Sequence, residues 1–187
     1  MTAPAALLLT PGAGSDRDHP TLVAIADALD IAVERVDFPY RREGRRAPDR
    51  APKLIQCVVD EATAFANRLG IGPEELLLGG RSMGGRMCSM AVAEGLPGAG
   101  LVLLSYPLHP PGKPERLRVD HFAQLHVPCL FVSGDRDPFG SPDEFAAHLP
   151  TIPGDVTVHW VEGGRHDVKG RDDELAGLVA GWVEARR

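Results

Sequence analysis

From end to end, the sequence alternates short, continuously apolar runs with stretches of helical spacing, and that alternation limits the folds open to it. The first run, Ala5-Ala6-Leu7-Leu8-Leu9, is closed by Pro11-Gly12-Ala13-Gly14. Apolar residues in succession, rather than in alternation with polar ones, suit a strand covered on both faces. Pro20 stands where a helix can open, with Leu22, Val23, Ile25, Ala26 and Leu29 as its inner face. Ile31 to Phe38 is a second strand candidate, followed by a polar stretch from Pro39 to Pro52. A long helix then carries Leu54, Val58, Ala62, Phe65, Ala66 and Leu69 at helical spacing and stops at Gly70. Leu76 to Leu78, Leu101 to Leu104, Cys129 to Val132 and Val156 to Val161 supply four more strands. Further helices are predicted from Met83 to Glu94 and from Asp172 to Ala185. Strand and helix in turn imply right-handed crossovers, hence a doubly wound, mostly parallel α/β sheet of six strands with helices on both faces. A chain of 187 residues is about one domain's worth, so residues 1–187 are expected to form a single unit.

Composition narrows the functional classes. Lys and Arg number 20 against 26 Asp and Glu, a net charge of −6 that argues against a general nucleic-acid binder. No apolar run approaches the roughly 20 residues that span a bilayer, so no membrane association is expected. Met1 to Thr10 lacks a basic region before its apolar run and reads as a strand, not a secretory signal. Cys57, Cys88 and Cys129 are odd in number, widely spaced and set in apolar surroundings. They suit neither a disulfide framework nor a metal site, and read as small buried hydrophobes in a reducing, cytoplasmic setting.

In sheets of this kind, sites gather where loops leave the carboxyl ends of the strands. The loops after the first, third, fifth and sixth strands contain Gly12-Ala13-Gly14, Ser82, Asp135 with Asp137, and His166. Gly80-Arg81-Ser82-Met83-Gly84 fits G-x-S-x-G between a strand and a helix. Small neighbours let the backbone turn tightly there and hold the serine hydroxyl clear at the helix start. A plain Gly-rich turn is the alternative. A serine hydroxyl needs a base to attack at neutral pH. Of seven histidines, His166 has the best context, in Gly163-Gly164-Arg165-His166-Asp167 before the last helix. The base in turn needs a carboxylate to fix its tautomer. Ser133-Gly134-Asp135-Arg136-Asp137-Pro138 offers two, and Asp137, further out and followed by proline, is preferred to Asp135. Backbone N–H groups of Met83 and Ala13, with Gly14 in reserve, are the expected oxyanion donors. Neither glycine loop completes a dinucleotide or P-loop pattern, and no cofactor or metal is expected.

These segments, in the order serine, aspartate, histidine, resemble the α/β-hydrolase superfamily over nearly the whole chain. The resemblance rests on Gly12 and Gly14, the turn around Ser82, Gly134-Asp135-Arg136-Asp137-Pro138, and Gly164-Arg165-His166. It is most similar to the compact, lidless, dienelactone-hydrolase-like branch. The resemblance implies a trimmed sheet in the order 2-1-3-4-5-6, with Asp137 as the acid of a G-x-x-D-P segment. It also implies a serine hydrolase of small or exposed carboxylic esters or thioesters that works through an acyl-enzyme. The sequence departs from the branch at Pro11, where histidine is common, and at Ser82, where dienelactone hydrolases carry cysteine. A catalytically silent binding or regulatory module is the alternative function, since one fold hosts many.

The loop from Tyr106 to Asp120 is too short for a helical cap. An open site is therefore expected, walled by Tyr106, Pro107, Leu108, His109 and Phe139. Arg41, Arg42, Arg45, Arg46 and Arg50 crowd the loop after the second strand. Arg42, Arg45 and Arg46 are candidates for holding a substrate anion. The plainer reading is a solvated loop. For Arg81 and Arg86, beside Ser82, pairing with carboxylates is the expectation.

Overall fold

A computed structural model describes residues 3–187. Its six strands are β1 (Ala6–Thr10), β2 (Ala32–Arg35), β3 (Leu76–Arg81), β4 (Gly100–Leu104), β5 (Cys129–Gly134) and β6 (Val156–Val161). They form one sheet in the order β2-β1-β3-β4-β5-β6, every neighbouring pair parallel. The helices are α1 (Pro20–Ala28), α2 (Pro39–Arg42), α3 (Ala51–Leu69), α4 (Met83–Ala93), α5 (Pro142–His148) and α6 (Asp172–Glu184).

The apolar runs divide by parity. Leu8, Leu78, Leu103 and Phe131 face a core closed by α3, α4 and α5 through Leu54, Val58, Phe65, Met87, Ala91 and Phe145. Leu7, Leu9, Leu77, Val102, Leu104 and Val132 face the opposite core, closed by α1 and α6 through Leu22, Ile25, Leu175, Val179 and Trp182. Two covered faces explain why β1, β4 and β5 are buried along their whole length. Gly70 ends α3 in the left-handed region at φ 68°, as its position after the last apolar residue predicts.

Two helices were not expected from the sequence. α2 lies inside the stretch read as polar and buries only Tyr40. α5 completes the crossover between β5 and β6 and buries only Phe145. Both are too short to display a periodic face. The thiols of Cys57, Cys88 and Cys129 are free and buried, and burial pushes them up to about 11, 12 and 12. They are inert at neutral pH. Among the described residues, no helix is long and apolar enough to cross a membrane.

Candidate active site

The turn from β3 into α4 is shaped by close backbone approach. A Cβ on Gly80 would come within 2.3 Å of the Thr10 carbonyl oxygen, and one on Gly84 within 2.5 Å of the same atom. On Gly85 it would meet the Gly80 carbonyl oxygen at 2.7 Å. Only glycine fits at these positions, and the chain reverses between them with Ser82 at φ 51° and ψ −115°. That conformation is costly for a non-glycine residue. It is held by the Ser82 N–H, which donates to the Leu104 carbonyl at 2.7 Å, and by the Arg86 N–H, which donates to the Ser82 carbonyl at 3.1 Å.

The Ser82 hydroxyl Oγ lies 2.8 Å from His166 Nε2. His166 Nδ1 lies 2.8 Å from Asp137 Oδ2 and 3.0 Å from Oδ1. Three side chains from the ends of β3, β5 and β6 thus form one continuous hydrogen-bonded line. Asp137 is buried and also accepts the Phe139 N–H at 2.8 Å, which fixes its carboxylate plane. The Phe139 ring stacks on the imidazole at 3.9 Å between centroids and 24° between planes. The Arg81 guanidinium donates to the His166 carbonyl at 2.9 Å. The histidine is therefore oriented from its ring face, its Nδ1 side and its backbone. Asp135 takes no part, and one of its carboxylate oxygens is buried without a partner.

A cavity of about 430 Å³ opens beside Ser82 and His166, lined also by Gly12, Ala13, Met83, Met87 and Phe139. Ala13 and Met83, the two candidate oxyanion donors, both border it. Among the described residues neither of these two N–H groups has a protein acceptor.

Other expectations need correction. Tyr106 is not a wall of the cavity. Its ring is buried in an aromatic cluster with Phe122 and Phe131, and its hydroxyl donates to the Arg118 carbonyl at 2.7 Å. His109 is turned away as well, 4% exposed, with Nε2 3.0 Å from Glu144 and Nδ1 2.8 Å from the Pro110 carbonyl. Leu108 is fully buried, and only Pro107 and Phe139 of the expected wall border the cavity. His19 caps α1, accepting the Thr21 N–H at Nδ1.

The anion-binding candidates also lie elsewhere. Arg42 pairs with Glu61 at 2.5 Å, and Arg45 with Glu43 at 2.5 Å and Asp49 at 2.9 Å. Arg46 is exposed and does not border the cavity. Nearby carboxylates pair with Arg42 and Arg45 while Arg46 is left to solvent, which fits the plainer reading of a solvated loop. Arginines do line the cavity, but they are Arg81, Arg86 and Arg118. Burial pulls the Arg81 guanidinium down, opposed by Asp167, Asp137 and Asp172. Pairing with carboxylates was expected for Arg81 and Arg86, yet no ion pair among the described residues includes either: Arg81 donates to a backbone carbonyl instead, and the buried Nε of Arg86 has no partner. The sequence did hold a signal for Arg86: it lies four residues after Ser82, one helical turn along the same face. Arg118 has no such signal, because a loop brings it in.

Solved structures share this architecture. Est1E from Butyrivibrio proteoclasticus, with ferulic acid bound, superposes with a TM-score of 0.80 at 14% identity, covering 98% of this chain and 90% of that one. Dienelactone hydrolase from Anabaena variabilis gives 0.79 at 18% identity, covering 98% and 87%. Monoacylglycerol lipase from Paleococcus ferrophilus gives 0.74 at 14% identity, covering 99% and 96%. At such identities the likeness is one of fold. The sequence carries the matter further, since the family described as alpha/beta hydrolase domain matches residues 3–179, from β1 into α6. The trimmed sheet, the glycine-lined turn after β3 and that match together place the chain in the alpha/beta hydrolase family.

Proposed function

We propose that the protein is a serine hydrolase that cleaves carboxylic esters or thioesters through an acyl-enzyme, with Ser82 as nucleophile, His166 as base and Asp137 as its orienting acid. The observation that carries this reading is the unbroken line from Ser82 Oγ through both ring nitrogens of His166 to Asp137, at 2.8 Å on each side. With Asp137 ionised, Nδ1 keeps its proton and Nε2 presents a lone pair to the hydroxyl. As Oγ attacks the carbonyl carbon, its proton passes to Nε2. The new imidazolium is stabilised by the buried carboxylate, and the carbonyl oxygen becomes an oxyanion facing the N–H groups of Met83 and Ala13. One such donor contributes on the order of 3 kcal/mol to the transition state. Collapse of the tetrahedral centre expels the alcohol or thiol, which takes the proton from Nε2. Water, deprotonated by the same nitrogen, then attacks the acyl carbon; the bond to Ser82 Oγ breaks, Oγ takes the proton back from Nε2, and the acid leaves. No cofactor enters any step.

A fluorophosphonate probe tests the nucleophile. One covalent label per chain is expected, lost in Ser82→Ala while the circular dichroism spectrum is retained. Absence of labelling on the wild type favours a silent module, and labelling that survives Ser82→Ala moves the nucleophile elsewhere.

A further inference from the structure

Among the described residues, none of the three arginines on the cavity wall is in an ion pair, but Arg81 donates to the His166 carbonyl and faces Asp167, Asp137 and Asp172, whereas Arg86 and Arg118 have no carboxylate to answer them. Arg86 projects from the first turns of α4, and Arg118 from the loop after β4. The backbone of Arg118 is pinned on both sides: its N–H donates to the Leu108 carbonyl at 2.8 Å, and its carbonyl accepts the Tyr106 hydroxyl. The backbone of Arg86 is fixed by the helix, and its carbonyl accepts the Ser89 hydroxyl at 2.9 Å. No ion pair among the described residues includes either guanidinium, and the Arg86 Nε is buried without a hydrogen-bond partner. The nearby groups do not neutralise them. His121 is held neutral, pulled down to about 4 by burial and by Arg86, and the Arg118 guanidinium is pulled down by burial and again by Arg86. The one carboxylate on the cavity wall, Asp49, is already bound to Arg45 at 2.9 Å and to Lys53 at 3.2 Å.

Two partly buried positive charges side by side on one cavity wall repel each other, and an anion between them would relieve that repulsion. We infer that Arg86 and Arg118 form an anion subsite of the cavity, holding a carboxylate or phosphate oxygen group on the same substrate whose carbonyl is presented to Ser82. This rests on the hydrolase reading for the position of the carbonyl. Arg86 follows Ser82 by four residues, about 6 Å along the helix axis, so the anionic group lies a short chain away from the reacting carbon. The guanidinium forks suit bidentate oxygen pairs.

The test compares mono-(4-nitrophenyl) glutarate with 4-nitrophenyl pentanoate, after correction for spontaneous hydrolysis. In the wild type, kcat/KM is expected to favour the anionic ester by roughly 10- to 100-fold, the range for a charge-assisted contact. The ratio should fall toward one in Arg118→Gln and in the Arg86→Gln/Arg118→Gln pair, with Arg118→Lys between. A wild-type ratio near one overturns the inference without recourse to any variant, and so does a ratio retained by the folded double variant. Titration of the Ser82→Ala protein with glutarate and with inorganic phosphate separates this inference from the hydrolase reading and tells the two anions apart. If neither ester is turned over, saturable binding that Arg118→Gln abolishes upholds the subsite while the hydrolase reading fails. Under that same condition, no binding of either anion overturns the subsite.

Discussion

Single side chains decide the chemistry here, and Asp137 and Asp135 make the sharpest comparison. They lie two residues apart on one loop, yet only Asp137 reaches the imidazole. Asp137→Asn is expected to lower kcat for a reactive ester by about 10³- to 10⁴-fold, because the amide would favour the wrong tautomer. Asp135→Asn should stay within roughly tenfold, and steady-state kinetics showing the opposite order would transfer the role. At this scale the meeting of Ser82, His166 and Asp137 was legible, since each lies in a turn-forming segment that follows an apolar strand. The cavity wall was not. Tyr106 and His109 follow β4 in the chain but turn inward, toward Phe122 and Glu144, and no local pattern announces which way a loop side chain points. The arginine-rich stretch fits its plainer reading: Glu43, Asp49 and Glu61 pair with Arg45 and Arg42, and Glu61 belongs to another element, α3.

Among the elements, the turn between β3 and α4 tolerates least. Gly84→Ala would drive a Cβ to 2.5 Å from the Thr10 carbonyl oxygen, at the end of β1, and 2.6 Å from that of Pro11, in the loop that carries Ala13. The expected cost is about 1–3 kcal/mol, which thermal melting should register as a Tm lowered by roughly 2–12 °C. Ester turnover should fall as well, because the substitution presses on both proposed oxyanion donors at once. An unchanged Tm would mean that β1 can give way. Long elements were readable from spacing alone, α3 above all, with its buried face and its glycine stop. α5 was not, because seven residues with one buried side chain show no period. Its trace in the sequence was the capping box, in which the Ser141 hydroxyl accepts the Glu144 N–H and the Glu144 carboxylate accepts the Ser141 N–H.

For the molecule as a whole, the continuous apolar runs implied parallel strands with both sheet faces covered, whereas the order 2-1-3-4-5-6 came from the family resemblance. What they could not convey is how polar groups are enclosed between the layers. His121 is partly buried with Nε2 2.8 Å from Ser89 Oγ, and burial, reinforced by Arg86, lowers it from 6.5 to about 4. The unfolded chain therefore binds this proton more readily than the native one. Its contribution is fully favourable to folding above about pH 6.5 and is lost as the pH falls toward 4. Tm should drop across that interval, and His121→Gln, which keeps a side-chain donor and cannot titrate, should flatten part of the slope. His19 is also lowered, chiefly by burial, and would account for some of the remainder. A slope identical to the wild type in His121→Gln would assign the acid sensitivity to other groups.

The chain separation within the proposed triad has its own consequence. Ser82 hangs on β3, inside the sheet, whereas His166 hangs beyond β6, one of its two edge strands, 84 positions later. Edge strands are the readiest to peel away, and interior ones the last. Fraying at that border would carry off the imidazole and leave the hydroxyl seated, so the protein can fall silent as a catalyst while most of its architecture is still standing.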